Sequence, residues 1–138
     1  MAREIIVGYD GSQCSKAALE AAAEAAAAFG DKLVLVFGYE PYRMGGEIQD
    51  HRAALEEKGE QVTHEGVEKA KAAGVEAEAM LVGRGAAEAL VEAADTRDAR
   101  MIMIGTYGDS PLKGAILGST PHKLLQVSTI PVVVVPAR

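Results

Sequence analysis

Two short stretches combine residue types that could hold a ligand. The first is Tyr9-Asp10-Gly11-Ser12, a carboxylate in a glycine turn that follows the apolar run Ile5-Ile6-Val7 after Gly8. A carboxylate there repels phosphate but can accept hydrogen bonds from a ribose or a base amino group; equally, it can help to cap a helix that follows. The second begins with Gly105-Thr106-Tyr107-Gly108, continues through nine residues, and ends in Gly118-Ser119-Thr120 before an apolar-periodic segment. Gly105 and Gly108 would let backbone amides approach a ligand closely, and Gly118, Ser119 and Thr120 would offer amides and hydroxyls at a helix N-terminus, where the dipole favours an anion. Together they read as a phosphate cradle. The Walker pattern is absent, because Lys113 is followed by Gly114-Ala115, and Gly83-Arg84-Gly85 opens no dinucleotide fingerprint, with Glu88 where the third glycine belongs.

The elements that must position these stretches follow from the change in apolar periodicity. Five short runs bounded by Gly, Pro or charge read as strands: Glu4–Tyr9, Leu33–Gly38, Val75–Val82, Met101–Ile104 and Val132–Val135. The first, second and fourth are continuously apolar, as in strands covered on both faces. Between them, Ala- and Glu-rich stretches read as helices over Ser12–Phe29, about Ile48–Ala73, Ala86–Ala94 and about Pro121–Val127, with Ser12 or Ser15 capping the first and Gly30 ending it. The strict alternation predicts an α/β domain, an open five-stranded parallel sheet with helices on both faces. In such sheets ligands bind outside the carboxyl ends of the strands, which is where both stretches fall. The long connection Gly38–Asp50 reads as a surface loop or a lid.

Composition narrows the function classes. The 138 residues suit one domain, 1–138, without linker, repeat or low-complexity tail. No apolar run reaches the roughly 20 residues of a membrane span, and no leader precedes the first strand, so a cytoplasmic address is expected. With 14 Lys+Arg against 20 Asp+Glu the net charge is -6, which disfavours nucleic acid and anionic membranes as partners. The single cysteine, Cys14, excludes an internal disulfide. It stands near a helix start as a small packing residue or a redox-sensitive thiol. His51, His64 and His122 show no metal-ligand spacing. Glu56-Glu57-Lys58-Gly59-Glu60 reads as a solvated helix face.

These motifs resemble the universal stress protein family, in its nucleotide-binding branch. Gly105, Gly108, Gly118 and Ser119 match its G-x-x-G, nine residues, G-[S/T] pattern, and the likeness extends from Ile5–Ser12 through Leu33–Pro41, Gly83–Leu90 and Met103–Gly105 to Ile130–Pro136. The resemblance implies the adenine nucleotide alpha hydrolase-like fold with strand order 3-2-1-4-5. It also implies a homodimeric stress-response regulator that binds an adenine nucleotide (ATP, ADP or AMP), with Mg²⁺ able to arrive with the phosphates. Asp10, beside Tyr9, would then contact the adenosine half. Gly38, after Phe37, would flank the base, and Gly105, Thr106, Gly108, Gly118, Ser119 and Thr120 would take the phosphates. The dimer would pair the last strand, Val132-Val133-Val134-Val135, across a two-fold axis. The chain departs from the family at Phe37-Gly38, often histidine-valine, at Asp109, commonly basic, and at Pro121, where many members carry a second hydroxyl residue. With Asp10 assigned to the adenosine half and no histidine in either stretch, there is no obvious base for activating water, so the expectation is a binding protein and no enzyme, with only slow ATP hydrolysis left open.

Two other families share the βα order. A response-regulator receiver needs an acidic pair after the first strand and a phosphoacceptor aspartate after the third, whereas Asp10 has no acidic neighbour and the third strand ends in Leu81-Val82-Gly83-Arg84. A flavodoxin-like carrier stacks its flavin on aromatic rings, of which this chain has few. A dimeric stress protein of the same fold that binds no nucleotide and serves as an interaction scaffold is the alternative from a different functional class.

Overall fold

In a computed structural model, residues 2–40, 48–106 and 117–137 are described, for 48–51 the backbone alone. The elements alternate as expected: β1 (Glu4–Gly8), α1 (Gln13–Phe29), β2 (Lys32–Gly38), α2 (Ile48–Ala72), β3 (Ala77–Val82), α3 (Ala86–Thr96), β4 (Ala99–Gly105), α4 (Ser119–Val127) and β5 (Val132–Val135). The five strands form one parallel sheet in the order β3-β2-β1-β4-β5. The winding therefore reverses between β1 and β4, and a crevice opens at their carboxyl ends.

Strand periodicity divides the core into two layers. Ile5, Val7, Leu33, Leu35 and Met103 face α1 and α2 and pack against Leu19, Ala22, Val67 and Ala70. Ile6, Val34, Val36, Ile102 and Ile104 face α3 and α4 and pack against Leu90, Ala93 and Leu124. Ser12 caps α1, its Oγ accepting from the Ser15 amide at 3.2 Å, and Gly30 ends the helix with φ 73°, a left-handed conformation that glycine adopts without a Cβ clash. β3 starts later than expected because Gly74 (φ 83°) turns the chain and the Val75 amide donates to Ala70 O at 3.0 Å, finishing α2 before the sheet begins.

Helix α2 lies closer to the sheet than its charge-rich sequence suggests. A Cβ on Gly59 would stand 2.7 Å from Phe37 Cδ1, and one on Gly66 would stand 2.5 Å from Leu35 Cδ2 and 2.9 Å from Tyr9 Cε2. Within Glu56–Glu60, Glu57, Lys58 and Glu60 are exposed as expected, while Gly59 is buried against Phe37. Each glycine costs a helix interior about 1 kcal/mol relative to alanine, a cost offset here by close helix-to-sheet packing.

The amino ends of the strands are closed by ion pairs. Arg97 grips Glu4 through two bonds of 2.9 and 2.8 Å and also bonds Glu78, and Lys32 stands 3.2 Å from Glu78. Asp31, its side chain fully buried, accepts from the Arg3 amide at 2.9 Å and from Arg100 Nε at 2.5 Å. The Arg100 guanidinium also lies 4.3 Å from the centroid of the Phe29 ring. The Arg100 hydrogen bond holds the Asp31 carboxyl below its ordinary range against the opposing effect of burial; the Arg97 hydrogen bond does the same for Glu4.

Candidate functional site

At the carboxyl ends of β1 and β4 the structure brings together Tyr9, Asp10, Gly38, Gly105, Thr120 and Pro121 around a cavity of about 90 Å³. Its volume is below the roughly 300–1,000 Å³ of small-molecule pockets, so a ligand of nucleotide size would extend from it along the open crevice. Thr106, Gly118 and Ser119 flank this cavity without lining it. Gly108 and Asp109, and the lid or loop residues 41–47, lie outside the described residues.

Asp10 does not cap α1; Ser12 does. Asp10 Oδ1 accepts the Ser12 amide at 2.9 Å, closing the turn that aims the carboxyl group at the crevice, and Oδ2 has no partner among the described residues. Tyr9 is 2% exposed, and its ring belongs to the α1/α2 core layer, against Gly66. The Tyr9 hydroxyl is buried with no hydrogen-bond partner among the described residues, an uncommon state for a phenol. Burial first, then Glu65 and Asp10, push its pKa up, so it stays a neutral donor.

The N-terminus of α4 has the opposite character to that of α1. Gly118 is its N-cap and supplies no side-chain cap, and no side chain among the described residues bonds the first amides. The amide of Gly118 itself is not free, because it donates to Thr106 O at 2.7 Å. This corrects the expectation that Gly118 offers an open amide. Pro121 has none, and His122 N already bonds Gly118 O at 3.2 Å, so Ser119 and Thr120 carry the two donors of this end that have no partner among the described residues. Two converging N–H groups at the positive end of a helix, facing a crevice, can hold one anionic oxygen cluster.

Two of the expected site glycines, Gly105 and Gly38, line the cavity and also make room for the protein's own helices. A Cβ on Gly105 would stand 2.6 Å from Cys14 Cβ and 2.7 Å from the Cys14 carbonyl, so this glycine lets α1 seat on β4. A Cβ on Gly38 would meet Ala89 Cβ at 2.9 Å and Arg84 O at 3.0 Å, so that side is filled by α3, and Gly38 presents only backbone to the cavity. Cys14 is 3% exposed, with Sγ 3.7 Å from Thr106 Oγ1, which fits the packing reading of this residue. The sequence reading missed that contact, and also the place of Pro121 in the wall; a proline three positions into a helix was the only available sign of the latter. Beyond Gly38, Tyr39 donates to Glu56 Oε1 at 2.8 Å, with Arg52 Nε 3.3 Å from the same oxygen. That carboxylate acceptor raises the Tyr39 pKa, helped by burial.

No helix among the described residues is long and apolar enough to cross a membrane. Comparison with known proteins places the chain. It is 31% identical to universal stress protein YxiE of Bacillus subtilis, over 98% of this chain and 99% of that one. Among solved structures, a universal stress protein family member from Burkholderia pseudomallei is 29% identical with a TM-score of 0.80, covering 98% of this chain and 96% of that one. A universal stress protein solved in complex with cAMP is 29% identical with a TM-score of 0.77, covering 99% and 98% respectively. A sequence profile of the universal stress protein family matches residues 1–136, and the chain therefore belongs to that family.

Proposed function

We propose that this protein binds an adenine nucleotide in the crevice between the Tyr9–Ser12 turn and the start of α4, and acts as a dimeric nucleotide-responsive regulator. The observation that carries the reading is the α4 N-terminus, where the Ser119 and Thr120 amides have no partner among the described residues, beside the cavity lined by Asp10. The amides suit a phosphate, and the free carboxylate oxygen suits a ribose hydroxyl or a base amino group. The 29%-identical relative solved with cAMP supports an adenine nucleotide as the ligand class. Among the described residues Asp10 is the one carboxylate lining the cavity, and one of its oxygens is engaged by Ser12, so binding without rapid turnover is expected. A kcat of about 1 per second or faster would contradict that part. The dimer would form along β5, an edge strand on which Val133 is 37% exposed. Light scattering should give a dimer at micromolar concentration and a monomer for Val133→Lys with Val134→Lys.

The test is mass spectrometry of small molecules released on denaturing the freshly purified protein, followed by calorimetric titration with ATP, ADP and AMP. Gly118 has φ -71°, open to any residue, so Gly118→Val adds bulk at the crevice without backbone strain. It should weaken nucleotide binding at least about tenfold, equivalent to about 1.4 kcal/mol, with unchanged unfolding. No released nucleotide and no heat would leave the scaffold reading in its place.

A further inference from the structure

We propose that Thr106 is a positioning residue that ties the start of α1 to the start of α4, and that Cys14 thereby sets the placement of the open amides without touching the ligand. Cys14 is the second residue of α1, and its Cβ and carbonyl fill the space that a side chain on Gly105 would need, so helix and strand are pinned at this point. The next residue, Thr106, is then held from two directions. Its Oγ1 lies 3.7 Å from Cys14 Sγ, and its carbonyl accepts the Gly118 amide at 2.7 Å. Gly118 is the N-cap of α4, and the amides of the following Ser119 and Thr120 are the ones without a partner among the described residues. A continuous chain of contacts thus runs from the α1 start, through Thr106, to the proposed phosphate donors. A thiol forms weak hydrogen bonds, so the contact contributes mainly direction: it keeps Thr106 turned toward α1 while the carbonyl meets α4.

This inference rests on the nucleotide reading for its effect on affinity, whereas the tie itself is measurable in the nucleotide-free chain. The experiment is amide hydrogen exchange by NMR on wild type, Cys14→Ala, Cys14→Ser, Thr106→Val and the double variant Cys14→Ala with Thr106→Val, each then titrated with AMP by calorimetry. Cys14→Ala should speed exchange of the Gly118 amide about three- to tenfold, the range of one modest hydrogen bond, relative to the Val34 amide of the central sheet as internal standard. Cys14→Ser, which keeps a donor, should stay within about twofold of wild type. Thr106→Val should match Cys14→Ala, and the double variant should add nothing further, because both changes break one tie. AMP affinity should fall in the same order. Equal acceleration at Gly118 and Val34, or identical behaviour of Cys14→Ala and Cys14→Ser, would overturn the proposal by making the effect global or purely one of packing. Unchanged AMP affinity in a variant whose Gly118 exchange responds would also overturn it. If wild type takes up no AMP while Gly118 exchange responds as expected, the nucleotide reading fails and the tie stands.

Discussion

The two ends of the sheet treat polar groups in opposite ways. At the amino ends, Arg3, Lys32, Arg97 and Arg100 meet Glu4, Asp31, Glu78 and Asp98, so the cluster is balanced and each member has a partner. At the carboxyl ends, the Ser119 and Thr120 amides, one Asp10 oxygen and the Tyr9 hydroxyl have no partner among the described residues. Buried or helix-end polar groups are ordinarily satisfied, so groups left unpartnered among the described residues at one end are what the proposed nucleotide site would use, while completed pairs mark structure. On the proposed reading, the difference assigns stability to one end of the sheet and recognition to the other.

The strongest challenge to that separation is Gly105, a carboxyl-end residue with a structural duty. Gly105→Ala should cost about 3 kcal/mol in urea unfolding, the upper part of the overpacking range, because the clash is partly with Cys14 backbone and no rotamer change relieves it. A cost below about 1 kcal/mol would mean that α1 shifts freely on β4. At the opposite end, Asp31→Asn should cost about 2 kcal/mol, held below the figure for a fully buried broken pair because Arg100 remains partly in water. AMP affinity should not change. The pH dependence has a definite sign. Asp31 and Glu4 have carboxyl pKa values depressed in the folded state, so their contribution is full above the unfolded values near 4 and is lost as pH falls through the lower folded values. Unfolding measured from pH 7 to pH 3 should therefore show wild type losing stability more steeply than Asp31→Asn.

Much of the fold was legible in the residues. Continuous apolar runs separated by Ala/Glu helices required a covered parallel sheet, and the order implied by the family resemblance is the order found. The candidate site was legible as a place and less so in its parts. The glycines that end β2 and β4 read naturally as ligand-facing, and Gly38 and Gly105 do line the cavity, but they are also required by α3 and α1, whose approach depends on packing that no local pattern reports. The same holds for Gly59 and Gly66, which look like helix defects until Phe37 and Leu35 are seen beneath them. The amino-end network was invisible because its partners are remote in sequence, as Arg97 is from Glu4 and Arg100 from Asp31, and only the strand register brings them together.

The smallest expected effect concerns Asp109, which follows Gly108 where the family commonly has a basic residue. Asp109→Arg should tighten ATP more than AMP, by about 1 kcal/mol or less for a solvent-screened charge, and added salt should shrink the gain. An equal gain for both nucleotides would show that this side chain does not sense the outer phosphates.

The most direct test of the central claim is an NMR titration of the isotopically labelled chain with AMP, followed residue by residue. Saturable shifts should gather at Asp10, Thr106, Gly118, Ser119 and Thr120, while Arg3, Asp31, Arg97 and Arg100 stay unmoved. Shifts confined to the amino-end cluster, or none that saturate at millimolar AMP, would contradict the account.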